Sequence, residues 1–422
     1  MNKKPIGQKA LYFILITVLL DAIGFGIIIP VMPDLLVELL DIDTTAASTW
    51  GGYLSFCYAA MHFLFGPLIG SLSDRFGRRP VLLLSLAALT IDYLILAFAQ
   101  TIQVLFIGRI LTGICGASFA TANAYIADVS DEKNRGKAFG MVGAAFGVGF
   151  ILGPVIGGFL GSIDDRAPFF ASAGLALVNM CYGYFVLPES LPKENRRAFS
   201  LSRSNPLGAF RQFRLFPKIK WLLVVSFLLF VVHGVYPYTW QYHGKARYGW
   251  EPRDIGLSLM AFGICSAVVQ GGLIGRVIKR FGERKTAFIG ITCGIVAFGG
   301  FACATQWWML DFWIPISACA AATTPAIKAI MSTRVPSNAQ GELQGALSSL
   351  QGVANMISPI MMTQVFFYFA EVESSYRMFG SAFLLAGCLL AFALVPLIWG
   401  TRGLGGVASP EGVDSDTANS DQ

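Results

Sequence analysis

The chain has 422 residues, of which 55% are hydrophobic and only 13% charged, with a formal net charge of +6. Soluble domains carry roughly 25% charged residues, so the composition excludes an ordinary soluble enzyme and points to an all-α membrane protein. No basic run is paired with a nucleic-acid-binding motif, which argues against DNA or RNA as a partner.

Apolar runs of about 20 residues recur, each long enough to cross a hydrocarbon core of about 30 Å. Twelve are expected, at 10–32, 50–71, 80–99, 103–126, 137–160, 168–187, 219–240, 255–278, 287–305, 309–331, 343–368 and 376–399. The first has a basic start, yet it is too long for a signal peptide and lacks a small-residue cleavage site, so it reads as a retained helix. It carries Asp21 in its middle. The second run ends in the loop Gly70-Ser-Leu-Ser-Asp74-Arg75-Phe76-Gly77-Arg78-Arg79. Gly66, Gly70 and Gly77 allow close helix approach and a tight turn there. Asp74 is placed to pair with a nearby Arg or with the N-terminus of another helix, a contact that holds one conformation and breaks in the other.

Asp92 lies in the outer half of the third run, and Arg109 and Asn123 lie in the fourth. A guanidinium near mid-membrane costs about 2.5–3.5 kcal/mol on insertion scales, so Arg109 must face protein or water and find acceptors. A carboxyl in an apolar run is also costly to ionise, which makes Asp21 and Asp92 candidate proton carriers. Asp21 is alternatively an anchor for a positively charged or metal-chelated substrate, or one side of a structural pair with Arg109. In the fifth run Gly149, Gly153, Gly157 and Gly158 suit tight helix contact, and Pro154 adds a kink at which the helix bends. Asn123 and, in the eighth run, Gln270 are candidate cavity-lining residues.

Hydrophobicity drops between Pro188 and Lys220, where prolines and basic residues dominate. The expected organisation is a six-helix half at 1–190, a linker at 191–218, a second half at 219–400 and a disordered polar tail at 401–422. The eight cysteines form no CxxC, so neither a disulfide framework nor a metal site is expected. No GxxxxGK[ST] string is present, and neither ATP nor another cofactor is expected.

Charge placement sets an orientation. With the N-terminus inside, the inner segments hold Lys3, Lys4, Lys9, Arg75, Arg78, Arg79, Lys133, Arg135, Lys137, the linker's basic residues, and Arg276 to Lys285. The outer loops hold only Arg166, Lys245, Arg247, Arg253 and Arg377. This bias puts both termini in the cytoplasm. The halves are copies: GPLIGSLSDRFGRR, starting at Gly66, returns as GGLIGRVIKRFGER from Gly271, and Gly136, Gly140, Gly147 and Pro154 answer to Gly341, Gly345, Gly352 and Pro359 in the same register. Parallel repeats of hydrophobic halves are a transporter arrangement with the substrate site between them.

Gly70, Asp74, Arg75, Gly77, Arg78 and Arg79 match GxxxDRxGRR, through which the chain resembles the major facilitator superfamily. Arg109-Ile-Leu-Thr-Gly113-Ile-Cys-Gly116 matches that family's RxxxGxxG element, and Gly149-Phe-Ile-Leu-Gly153-Pro154-Val-Ile-Gly157-Gly158 its antiporter element. LDAIGFGIIIPVMPDLL, SDRFGRRPVLLLSL and QGELQGALSSL look closest to the tetracycline-efflux branch of drug:proton antiporters. The resemblance implies a major facilitator fold, proton coupling through Arg109, Asp21 and Asp92, and a bacterial inner-membrane location with protons and a small molecule as partners. One departure is notable. That branch usually carries an acid in the ninth span, where this chain reads Ile291-Thr-Cys-Gly294-Ile. The leading expectation is a proton-coupled exporter of a drug-like molecule. A metabolite exporter or a symporter for a sugar or organic acid is the alternative.

Overall fold

The computed structural model describes residues 8–116, 118–130, 135–197, 219–336, 339–371 and 377–402. Lys3, Lys4, Lys133, linker residues 198–218 and tail residues 403–422 lie outside them. The described residues contain no strand. Helix α1 (Gln8–Ile28) is followed by a short α2 (Met32–Leu40), which the sequence reading had not separated. Then come α3 (Thr44–Phe76), α4 (Arg78–Phe98), α5 (Ile102–Cys115), α6 (Ser118–Val129), α7 (Arg135–Gly161) and α8 (Ala167–Val186). The second half holds α9 (Lys220–His233), α10 (Val235–Tyr248), α11 (Pro252–Val268), a π-turn (Val269–Leu273), α12 (Ile274–Cys303), α13 (Trp307–Cys319), α14 (Thr323–Arg334), α15 (Gln340–Ala370) and α16 (Ser381–Gly400).

Local chemistry places several of these ends. Asp43 caps α3 by accepting the Ala46 N–H at 2.9 Å. Gly249, at φ 68°, stops α10, and Glu251 with Asp254 forms a capping box that starts α11.

Among the described residues, ten stretches are long and apolar enough to cross a membrane. Twelve crossings follow from two of the helices. The stretch Pro252–Cys303 has 52 residues, about 78 Å at 1.5 Å per residue and more than twice a bilayer core. It turns back at Gly282, whose φ of 74° and ψ of 164° are not helical. The fourth crossing is divided into α5 and α6, with a break after Gly116.

Gly77 has φ 108° and ψ 160°, nearly the geometry of Gly282, and lies 205 positions before it. The repeated loop is therefore the same turn built twice, in a region that disfavours any Cβ. Packing repeats as well: α4 lies on α8 as α12 lies on α16, and α1 touches α7 and α8 as α9 touches α15 and α16. Pro188 to Arg197 folds back on the first half, with the Arg197 N–H donating to the Asp74 carbonyl at 3.1 Å and the Tyr125 hydroxyl to the Pro188 carbonyl at 2.9 Å.

The halves meet where α3 lies along α15 and α7 along α11. The loops fall at two ends of the bundle: a near end with Gln8, Arg402 and the Gly77 and Gly282 turns, and a far end with α2 and the Gly249 turn. Among the described residues, contact between the halves is confined to the far end and the middle. A Cβ on Gly158 would lie 2.5 Å from the Pro252 carbonyl, one on Gly52 2.1 Å from Thr363 Oγ1, one on Gly263 2.4 Å from Ile151, and one on Gly352 2.7 Å from Phe63. Further toward the near end Gly70, Gly147 and Gly341 repeat the helical faces of Phe63, Ile151 and Gly352. Nothing lies within 4 Å of a Cβ built on any of them. The described residues are closed at the far end and open at the near end. Gly70 thus makes no close helix contact here, contrary to the sequence reading, because its face looks into the opening.

Candidate functional site

The first half gathers its intramembrane charges on adjacent helices. Asp92 of α4 has no exposed surface and pairs with Arg109 of α5 through Oδ2 and Nη2. Gly108 makes the room, since a Cβ there would lie 2.6 Å from Asp92 Oδ1. The Arg109 guanidinium sits 6.0 Å from the Tyr58 ring. Arg109 Nε and Asp92 Oδ1 are buried without a hydrogen-bond partner among the described residues. Arg109 therefore takes Asp92, not Asp21, as its carboxylate. Asp21 of α1 turns toward α8, where Asn179 Nδ2 is 3.5 Å from its Oδ1. Asp21, Asp92 and Arg109 all act electrostatically on Tyr58, so they form one charged neighbourhood.

A cavity lies beside this cluster, between the halves. Phe25, Ile28, Ile29 and Met32 line it from the α1 side, Gly51, Leu54, Ser55 and Tyr58 from α3, and Arg109 from α5. The second half supplies Pro237, Tyr238, Gln241 and Tyr242 from α10. Gln241 donates to the Pro237 carbonyl at 3.0 Å, while its Oε1 and the Tyr242 hydroxyl are buried without partners among the described residues. Aromatic walls with unsatisfied polar atoms suit a planar ligand whose edge carries hydrogen-bonding groups. Asn123 and Gln270 are not among the lining residues: Asn123 is half-buried on α6 and Gln270 is exposed in the π-turn. The sequence reading missed the tyrosines. The run Tyr236-Pro-Tyr-Thr-Trp-Gln-Tyr242, at the outer end of the seventh apolar run, was the available signal, because it packs four aromatics and a glutamine into seven residues.

At the near end, the turn of the repeated loop is a web of charge. Asp74 pairs with Arg78 at 2.6 Å, and Arg78 also reaches Asp128 of α6 at 3.1 Å and Ser73 at 3.0 Å. Glu189 accepts the N–H groups of Arg78 and Arg79 at 2.9 and 3.3 Å, capping α4. A Cβ on Gly77 would strike Glu189 Oε2 at 2.3 Å. Arg79 donates to the Tyr184 carbonyl at 2.6 Å. Arg75 is exposed, 5.1 Å from the Phe76 ring. Asp128 and Glu189 carried no motif in the sequence reading, and only folding brings them to the turn.

The glycines of α7 serve close packing. Cβ atoms on Gly149, Gly153 and Gly157 would lie 2.6, 2.7 and 2.0 Å from the carbonyls of Leu19, Ile23 and Ile27 on α1. Gly158 instead faces the other half, at Pro252, and the Pro154 carbonyl would lie 2.3 Å from a Cβ on Gly256. One stripe thus joins α7 to its own half and closes the far end. That closure also has polar parts: an ion pair between Asp34 of α2 and Lys245 of α10, a 3.2 Å hydrogen bond from Gln364 to the Tyr53 hydroxyl, and Arg253 5.1 Å from the Phe159 ring.

A sequence profile described as Major Facilitator Superfamily matches residues 14–359 and 246–413. The tetracycline resistance protein of class C from Escherichia coli is 40% identical over 384 residues, covering 91% of this chain and 96% of the relative. The class E protein, also from Escherichia coli, is 38% identical over 371 residues, covering 87% and 90%. Among solved structures, the human organic anion transporter MFSD10 superposes with a TM-score of 0.69 at 21% identity, covering 93% of this chain and all of that one.

Proposed function

The chain belongs to the major facilitator superfamily, and on that premise we propose that it is a proton-coupled antiporter exporting a drug-like molecule of the tetracycline class. The observation that carries this reading is the Asp92–Arg109 pair, buried beside a cavity that spans both halves. The positive-inside bias makes the near end cytoplasmic, so both termini are cytoplasmic and the structure is the state that loads substrate from inside. Asp21 and Asp92 carry the protons. A proton on Asp92 leaves the Arg109 charge uncompensated at the cavity wall, which expels a cationic substrate. Loss of that proton restores the pair and readmits it. Proton and drug therefore compete for one neighbourhood, which is what exchange requires.

The Asp74–Arg78 contact, with Arg75, Arg79, Gly70 and Gly77 around it, is the cytoplasmic switch. Gly149, Gly153, Pro154, Gly157 and Gly158 form the hinge stripe. The second half has no carboxylate in its ninth span and acts as gate and substrate wall. Such a protein sits in the bacterial inner membrane and performs no covalent chemistry on its substrate.

Proteoliposomes with an imposed pH gradient test this directly. Gradient-driven tetracycline movement, abolished by an uncoupler, is the expected result. Gradient-independent movement, or proton-linked sugar uptake without movement of any drug in a panel, would sink the proposal.

A further inference from the structure

We propose that Asn179 and Thr17 position the Asp21 carboxyl and adapt to both of its protonation states; this rests on the reading of Asp21 as a proton carrier. Neither residue carries charge or belongs to a motif. Both side chains have no exposed surface, so their polar atoms must be satisfied within the protein. Thr17 Oγ1 donates to Asn179 Oδ1 at 3.1 Å. With its oxygen engaged, the amide turns Nδ2 toward α1, 3.5 Å from both the Thr17 carbonyl and Asp21 Oδ1. Thr17 and Asp21 are four residues apart and share one face of α1, and Asn179 reaches from α8 across that turn.

A primary amide has a donor end and an acceptor end, and a hydroxyl is both. When Asp21 is ionised, Nδ2 faces it as a donor. When Asp21 is protonated, a half-turn of the amide offers Oδ1 to the acid proton. Nδ2 then donates to Thr17 Oγ1, whose hydroxyl is free to turn to a helix carbonyl. Neither state strands a buried polar atom. Leucine would serve neither state, and a second carboxylate would oppose ionisation. Tyr58 of α3, Tyr93 and Asp92 of α4 and Arg109 of α5 share its electrostatic neighbourhood. α7 meets α1 here through Gly149, and α6 through Ala122, Tyr125 and Ile126.

The test is the pH profile of tetracycline–proton exchange by the purified full chain in proteoliposomes. Asn179→Leu should move its midpoint to higher pH by about half to one unit, because the carboxylate loses a donor. Thr17→Val, which frees the amide, should move it less in the same direction, and Thr17→Ser should leave it in place. In an Asp21→Asn background none of the three should move what pH dependence remains. Midpoints that stay put in both Asn179→Leu and Thr17→Val, while Asp21→Asn alters the profile, overturn the positioning role alone. A pH profile that Asp21→Asn leaves unchanged overturns the proton-carrier reading of Asp21 and this proposal with it. Thr17→Val removes one hydroxyl at constant shape, so it keeps the test open if Asn179→Leu fails to fold.

Discussion

Gly256→Ala should shift the protein toward its outward-open state. A Cβ at this position would lie 2.3 Å from the Pro154 carbonyl oxygen, 3.1 Å from its carbon and 3.4 Å from Gly158 Cα. All three are backbone atoms, so no side chain can swing away. An ordinary carbon–oxygen contact needs about 1 Å more, and α11 must back off α7 by that amount. Overpacking of this kind costs about 1–3 kcal/mol. The cost falls only on the state in which the far ends touch, because the methyl group has space once they part. The ratio of outward-open to inward-open protein should therefore rise by about fivefold to 150-fold. The assay is labelling from outside the cell with a membrane-impermeant maleimide. The target is a cysteine at Ser55, a cavity-lining residue, in a background where the native cysteines are serine. Labelling should speed up at least about fivefold, and tetracycline export should fall. An unchanged labelling rate at normal expression would refute the far-end closure as the element that sets this equilibrium.

Asp34→Ala and Lys245→Ala should each speed the same labelling a few-fold, as fits a half-buried ion pair worth about 1 kcal/mol, and the swap Asp34→Lys with Lys245→Asp should restore the slow rate. Asp92→Asn should lower the stability of the purified protein by about 3–5 kcal/mol, since it leaves Arg109 buried and unpaired. The double variant Asp92→Leu with Arg109→Leu should regain most of that stability in thermal unfolding while remaining inactive; inactivity with no stability loss in Asp92→Asn would contradict the pairing. Asp74→Asn should cripple transport at normal membrane insertion, and wild-type turnover in that variant would remove the switch role.

Much of this was legible in the chain itself. Run lengths set the number of crossings, and the 205-residue offset announced the two halves. The offset also marked Gly77 and Gly282 as one turn, because a backbone in that region needs glycine wherever it occurs. Asp21, Asp92 and Arg109 stood out because a charge in an apolar run costs too much to be accidental. Their pairing was not legible. Asp92 and Arg109 are 17 positions apart, and Asp21 lies as near to Arg109 in a reading that knows only helices and not their neighbours. Asn179, Asp128, Glu189 and the α10 tyrosines were missed for the same reason: each is an ordinary residue until a distant helix is laid against it.

The sequence by itself determined what had to cross the membrane and which residues were too costly to be idle. Those follow from solvation, a local property of each residue. Tertiary structure alone decided that Arg109 belongs to Asp92, that Asp21 answers to α8, and that the far end is shut while the near end is open. These depend on which helix faces approach within a few ångströms. Many arrangements of the same apolar helices satisfy the same hydrophobicity, and only close packing of glycine faces and buried polar groups selects one of them.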